Sequence, residues 1–397
     1  MGAKRLTRRD FLKAAGTATA MAAVGTVPLE LLAFDKKLVR YPEKTDLLLL
    51  TSRPPQLEMP HQLFRELVTP TDALFVRWHL SGIPTEVDLA TWRLTVGGNT
   101  ERTVALTMDE LQKGFEPVTY TAVIQCAGNG RSFFEPRVPG GQWGDGALGN
   151  VTWTGARLKD LLARAGVKKG SVEVAFNGLD TPPLPTVPDF IKSIPVDTAL
   201  DPEVIVAYAM NGAPLPMLNG FPARLVVPGW YATYWVKALS DITVLTKTSD
   251  NFWMTTAYRV PDTPCACVPP GEKPQRTVPI TRMSTRSMIV EPQAGARLPA
   301  GRETEVMGIA FSGGYGIRDV AVSVDGGATW REARLGKDLG RHSWIQWRYP
   351  WRPEQKGTCR IMARATNAIG ESQPFEGLWN PAGYRWNRIE TVDVTVG

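Results

Sequence analysis

Histidine and cysteine are scarce in this chain: 3 His and 4 Cys in 397 residues. No H-E-x-x-H and no C-x-x-C occurs, which excludes a zincin site, a dithiol redox pair and, with C-x-x-C-H, covalent haem attachment. G-x-S-x-G is missing, so the strand-to-helix nucleophile elbow is excluded. "GNGRSFF" has no phosphate-loop lysine, and Gly128 and Gly130 lack the third glycine of a dinucleotide fingerprint. Long apolar runs are lacking too. The most apolar stretch near the start, residues 14–27, is too short and too weakly apolar to span a bilayer. Basic runs stop early: the net charge is +6, and residues 1–33 carry half of it. The remaining +3 is no nucleic-acid footprint.

What the chain has in quantity is turn chemistry. Gly 37 and Pro 32 accompany 43% hydrophobic and 21% charged residues. That composition is globular and loop-rich, and the length suggests two domains. The opening "TRRDFLK" places Arg8 and Arg9 ahead of an Ala/Gly/Thr/Val stretch. It reads as a twin-arginine signal over residues 1–33. This address implies a periplasmic protein exported folded, with a cofactor inserted beforehand.

Residues 34–70 read as an irregular, proline-bearing lead. Strands are expected in "ALFVRWHL", "WRLTVGG", "VTYTAVIQC", "SVEVAFNG", "EVIVAYAM", "ARLVVPG" and "DITVL". Two short helices interrupt them. One has a capping box, Thr107 with Glu110, and Gly114 as its stop. The other puts Leu158, Leu161, Leu162 and Ala165 on one face and ends at Gly166. Residues 34–282 thus read as a mixed α+β domain. From residue 283 to 397, strand segments separated by turns, with a hairpin at "VSVDGGATW", predict an immunoglobulin-like β-sandwich.

The chemistry concentrates around "VIQCAGNGRSFF". Cys126 ends an apolar strand, two glycines follow, and Arg131 stands five residues on. Glycine permits close approach of a bulky group. Strand periodicity aligns Arg77 and His79 on one face. A thiolate beside guanidinium groups is stabilised and suits a soft or high-valent metal. Cys265, Cys267 and Cys359 permit no assigned bridge, and a Cys-x-Cys bond is geometrically poor.

These residues carry a resemblance. "CAGNGR", preceded by "FVRWH" and followed by "GQWGDGALGNVTWTGARLKDLL", resembles the sulfite oxidase family of molybdopterin enzymes, and within it the bacterial periplasmic sulfite dehydrogenases. "NGLD", "AYAMNGAPLPMLNGFPARLVVPGWYATYWVK" and "DNFWMTTAY" extend it over nearly the whole chain after the signal. The resemblance implies that Cys126 is the protein thiolate on a molybdenum held by molybdopterin. It makes Arg77 and Arg131 anion-binding residues, Tyr258 the active-site tyrosine, His79 its neighbour and Trp143 a substrate-pocket residue. It assigns Phe75, Val76, Arg77, Trp78, His79, Asp180, Arg224, Trp235, Val236 and Lys237 to stretches that hold the pterin and its phosphate. Asn219 stands where vertebrate members have His, and Gly130 where they have Arg. Their W-N-x-R-G is here Trp379-Asn-Pro-Ala-Gly383, so a third anion-binding arginine is missing or supplied from nearby by Arg385.

The implied activity is oxidation of sulfite to sulfate, with no haem in this chain and with electrons passed to an external c-type cytochrome. A homodimer or a complex with a cytochrome subunit is expected, without nucleic acid or a membrane span. Two other readings are a sulfane dehydrogenase subunit of thiosulfate oxidation and a cofactor-free exported binding module.

Overall fold

Short strands dominate the chain because β-branched and aromatic residues recur between glycine and proline turns. In the computed structural model, which describes residues 36–397, the helices are few. The α-helices among the described residues are Met108–Lys113, Leu158–Ala165, Val196–Ala199 and Phe252–Thr255. The architecture is therefore richer in strand than an even α+β mixture. The twin-arginine segment lies outside the described residues, and no described helix is long and apolar enough to cross a membrane.

Local signals are realised where they are strongest. Thr107 Oγ1 accepts from the Glu110 amide at 3.1 Å while Glu110 Oε2 accepts from the Thr107 amide at 2.9 Å. In the second helix Leu158, Leu161, Leu162 and Ala165 are the buried residues, and Gly166 ends it at φ 74°. The expected lead is different. Leu38–Arg40, Asp46–Ser52 and Pro55–Glu58 form an antiparallel sheet completed by Val76–Arg77. Two local antiparallel pairings, closed by Val76–Arg77, order this segment, where local proline content suggested irregularity. Conversely "ALFVRWHL" contributes only Val76–Arg77 as strand.

Two five-stranded sheets form the body of the first part. One places Lys192–Pro195, Glu173–Gly178, Leu239–Leu245, Leu94–Gly98 and Val104–Leu106 side by side in that order. The other orders Ala213–Pro214, Ile205–Met210, Leu148–Arg157 and Pro117–Gln125, with Arg224–Val226 also on Ile205–Met210. Pro117–Gln125 and Leu148–Arg157 pair without slippage from Pro117↔Ala156 to Gln125↔Leu148. That long, regular ladder delivers Cys126 at a defined height above the sheet.

The C-terminal part packs a four-stranded sheet, led by Arg286–Glu291 and Thr304–Phe311, against a five-stranded one containing Gly357–Asn367 and Glu390–Val396. Val306, Trp347, Val320, Ile361 and Val394 fill the space between them. The hairpin at "VSVDGGATW" forms, pairing Val322 with Arg331. The core of the first part continues through Met288, Met307, Phe311 and Trp344, so the two parts share apolar packing. Leu38–Gly397 is one unit.

Cys265 and Cys267 are joined by a disulfide, which corrects the geometric expectation against such a bond. Ala266 adopts a left-handed φ of 52°, and this bend holds the two Cα atoms 5.1 Å apart, inside the usual range. Closing only three residues contributes about 1.6 kcal/mol in the chain-entropy account. Cys267→Ser is therefore expected to lower Tm by no more than about 2–4 °C. A larger drop in a thermal melt would show that the bridge holds more than its own turn.

Candidate active site

The strand Pro117–Gln125 stops at Cys126, whose amide donates to the Ala147 carbonyl at 2.9 Å. The chain then turns back on itself: the Asn129 amide donates to the Cys126 carbonyl at 3.0 Å, and Asn129 Oδ1 accepts from the Ala147 amide at 2.9 Å. Gly130 sits at φ 82°, and a Cβ there would lie 2.5 Å from the Trp386 ring. Trp386 thus occupies the space a side chain at position 130 would need. The turn aims Arg131 back toward Cys126. Arg131 is buried, with Nε and Nη2 donating to the Ala382 carbonyl at 3.2 and 3.1 Å and Nη1 to the Gly141 carbonyl at 3.1 Å.

Two cavities meet at the cysteine. The inner one is lined by Phe75, Arg77, His79, Cys126, Asn219, Arg224, Lys237 and Tyr258, together with Ile124, Ala127, Leu218, Ala232 and Thr233. The outer one is lined by Arg77, Cys126, Arg131, Trp143 and Tyr258, and also by Gln56, Trp253, Ala382 and Tyr384. Arg77, Cys126 and Tyr258 belong to both. Neither lining includes a carboxylate, so both are electropositive.

Several unusual features converge here. Tyr258 holds a left-handed φ of 57°, a conformation that costs a bulky residue about 1–3 kcal/mol and concentrates at functional sites. Its hydroxyl is hydrogen-bonded to His79 Nε2, and its ring lies parallel to that of Tyr384, centroids 5.5 Å apart at 6°. His79 stacks on Phe190 at 3.6 Å. Burial, then the charges of Arg77, Lys237 and Lys192, holds its pKa well below the ordinary histidine value, so the imidazole is neutral. Burial pulls Lys237 down to about 7 and Arg224 to about 9.

The remaining expected residues sit behind these walls. Trp78 Nε1 donates to the Leu218 carbonyl at 3.0 Å, and Lys237 Nζ lies 4.5 Å from the Trp78 ring centroid. Val76, Trp235 and Val236 are core residues; Trp235 Nε1 donates to the Trp230 carbonyl at 3.1 Å. Asp180 is buried, outside both linings, and its pKa is raised to about 6 by burial against the opposing charge of Lys237. Arg385 is also outside both linings; its Nε donates to Ser284 Oγ at 3.2 Å. Sequence reasoning missed Gln56 and Tyr384 as pocket residues, whereas Ala382, at the arginine position of W-N-x-R-G, is placed by the structure in the outer wall. Trp253 lies inside the quoted "DNFWMTTAY" and is legible there.

Lys192, also unforeseen, is fully buried behind Tyr258. Its Nζ donates to the Trp253 carbonyl at 2.6 Å and lies over the rings of Tyr234 (4.6 Å) and Tyr258 (5.3 Å). Burial lowers its pKa to about 7. The unfolded chain therefore binds this proton more readily between about pH 7 and 10.5, and stability rises with pH across that window. Lys192→Met removes the rise. From pH 7 to 9.5 the stability difference between wild type and Lys192→Met should shift in favour of wild type, by at most about 1.4 kcal/mol per pH unit. A constant difference in thermal melts across that range would contradict the lowered pKa of the buried Lys192 amine.

The inner cavity fits a molybdopterin. Arg224 Nε, Asn219 Oδ1 and His79 Nδ1 are buried without a hydrogen-bond partner, and such orphaned groups point to a missing polar ligand. Arg224 and Lys237 suit an anionic end, and Cys126 a soft metal. Among the described residues no three His, Cys, Asp or Glu side chains converge on one point. Cys126 is thus a single protein donor, and further metal donors must come from the cofactor.

Comparisons with known proteins agree. Residues 80–253 match the family described as oxidoreductase molybdopterin binding domain, and residues 277–396 the Mo-co oxidoreductase dimerisation domain. The chain is 36% identical over 366 residues to mitochondrial sulfite oxidase of Mus musculus, covering 87% of this chain and 65% of that protein. It is 35% identical over 357 residues to sulfite oxidase of Gallus gallus, covering 85% and 76%. It thus spans about 65% of the length of its mammalian relatives. Among solved structures, the sulfane dehydrogenase SoxCD of Paracoccus pantotrophus matches with TM-score 0.76 at 26% identity, over 95% of this chain and 92% of that one. A lone cysteine between two electropositive cavities, within a fold and sequence shared across this range, identifies the chain as a member of the sulfite oxidase family of molybdopterin oxidoreductases.

Proposed function

We propose that the protein oxidises sulfite to sulfate in the periplasm and passes the electrons singly to a separate c-type cytochrome. The observation that carries this reading is the meeting of two carboxylate-free cavities at Cys126, one suited to the cofactor and one to a small anion. The bound cofactor supplies the two-electron oxygen-transfer chemistry, and the protein supplies position and field. Arg224, Lys237 and Asn219 would hold the pterin and its phosphate, and Cys126 Sγ its metal.

Arg77 and Arg131 bind the dianion by charge-assisted hydrogen bonds. Arg131 is fixed by the Gly141 and Ala382 carbonyls, so its remaining donors are aimed before substrate arrives. His79 is assigned as the Nε2–H tautomer. It donates to Tyr258 Oη, leaving the phenolic proton for an oxygen of the bound anion. Trp143 and Trp253 exclude water from the outer pocket. Export rests on Arg8 and Arg9. The C-terminal two-sheet part is read as an immunoglobulin-like module for association, supported by its match to a dimerisation domain. A homodimer, or a complex with a cytochrome subunit, is the expected assembly.

The test is a sulfite–ferricyanide assay on purified protein with molybdenum quantified. About one molybdenum per chain with sulfite-dependent reduction supports the reading; a molybdenum-loaded protein inert to sulfite sinks it. The likeness to the sulfane dehydrogenase SoxCD favours one second reading, oxidation of a carrier-borne sulfur. Turnover of free sulfite without any partner protein separates the two.

A further inference from the structure

The outer cavity is larger and more apolar than a four-atom dianion requires. Its volume is about 250 Å³, just below the usual range for drug-sized ligands and ample for a small anion carrying an organic group. Its charged lining consists of Arg77 and Arg131. Arg131 spends three donors on the carbonyls of Gly141 and Ala382, out of the five a guanidinium has.

The wall formed by residues 381–384 offers no charge. Pro381 and Ala382 line the cavity, followed by Tyr384. The Tyr384 ring packs parallel to Tyr258 and lies 5.0 Å from the Arg131 guanidinium carbon. Arg385, the nearest cation along the chain, is turned to Ser284 instead. The pocket therefore pairs two guanidinium groups with an aromatic and aliphatic face.

We infer that this pocket also accepts organic sulfinates, R–SO₂⁻, and oxidises them to sulfonates, R–SO₃⁻. The inference rests on the sulfite reading and names a further substrate class for the same site. A sulfinate is sulfite with one anionic oxygen replaced by carbon. It keeps the pyramidal sulfur and its lone pair, and it loses one negative charge. The two oxygens face Arg77 and Arg131, and the R group lies against Ala382 and Tyr384. The balance is R–SO₂⁻ + H₂O → R–SO₃⁻ + 2H⁺ + 2e⁻. A sulfur–oxygen bond forms at the lone pair, the carbon–sulfur bond stays intact, and the electrons go to two equivalents of a one-electron acceptor, ferricyanide in the assay.

Molybdenum-loaded full-length enzyme is assayed with sulfite, methanesulfinate and benzenesulfinate, with Cys126→Ser as the blank and the sulfonates quantified by mass spectrometry. Both sulfinates should show kcat/KM within about 150-fold of sulfite, the loss expected for one forgone charge-assisted hydrogen bond. Ala382→Arg should lower the sulfinate-to-sulfite ratio by about tenfold or more, as a cation replaces the apolar wall. Calorimetry gives a readout without turnover: benzenesulfonate should bind wild type at least as tightly as sulfate does, and this preference should reverse in Ala382→Arg. Ala382→Leu, which narrows the wall without charge, serves if the arginine variant misfolds; its ratio for benzenesulfinate should fall likewise. Normal sulfite turnover with both sulfinates below about a thousandth of it, a deficit of about 4 kcal/mol, overturns the inference and spares the functional reading. No sulfite turnover by loaded enzyme overturns that reading and the inference with it.

Discussion

Cys126→Ser is expected to remove sulfite turnover while the protein keeps its fold and most of its molybdenum. The cysteine contributes its amide to the Ala147 carbonyl and its carbonyl to the Asn129 amide, and serine preserves both. The side chain borders two cavities, so a hydroxyl there meets polar space and leaves no void in the core. What changes is the donor. A serine hydroxyl stays protonated and is hard, where a thiolate is soft and anionic. Altering groups that merely support a metal ligand costs about 10–100-fold; replacing the ligand itself should cost more than about 100-fold. Arg224, Lys237 and Asn219, the residues proposed to hold the pterin, are untouched, so metal content should hold. Activity, molybdenum per chain and the visible absorption of the metal–thiolate pair decide the matter. Near-normal turnover in the serine variant would show Cys126 to be an ordinary buried cysteine.

Arg77→Met and Arg131→Met should each lower kcat/KM for sulfite by about ten- to 150-fold. A hydrogen bond to a charged group is worth about 1.5–3 kcal/mol, and each 1.36 kcal/mol is a factor of ten. The two variants should differ in stability. Methionine at 131 leaves the Gly141 and Ala382 carbonyls without their donor, so Arg131→Met should also lose about 1–3 kcal/mol of folding free energy. Arg131→Lys separates the roles: it keeps the charge and loses the fork that grips the Ala382 carbonyl. A rise in KM with little change in kcat marks lost ground-state binding, and an equal fall in kcat and kcat/KM marks a transition-state contact. Changes under threefold in both methionine variants would remove these arginines from the anion site, since ordinary surface substitutions stay within about 0.5 kcal/mol.

Thr107, Glu110 and Gly114 bound their helix legibly in the sequence, because capping is a contact among residues three or four apart. Leu158, Leu161, Leu162 and Ala165 report their buried face because helical periodicity is local. Cys126, Gly128, Gly130 and Arg131 lie within six residues, so the turn that joins the proposed ligand to the proposed anion site is written in one stretch. Arg77 and His79 converge on the same cavity as Cys126, although strand structure ends at Arg77.

What the sequence could not decide are the contacts that close long loops. Ala382 meets Arg131 across 251 positions, and Tyr384 meets Tyr258; no local preference brings such pairs together, and their cost is chain entropy repaid only in the assembled core. In the lead, Pro55–Glu58 pairs locally with Asp46–Ser52 and is covered on its other edge by Val76–Arg77. Lys192 reads as a solvent-facing residue until the sheet buries it against Trp253 and two tyrosines. Composition and short motifs therefore determined the capped helices, most of the strands after the lead, and which residues could hold a metal and an anion. Tertiary structure alone decided the shape of the outer wall, because that wall is assembled from segments whose proximity is a property of the packed core.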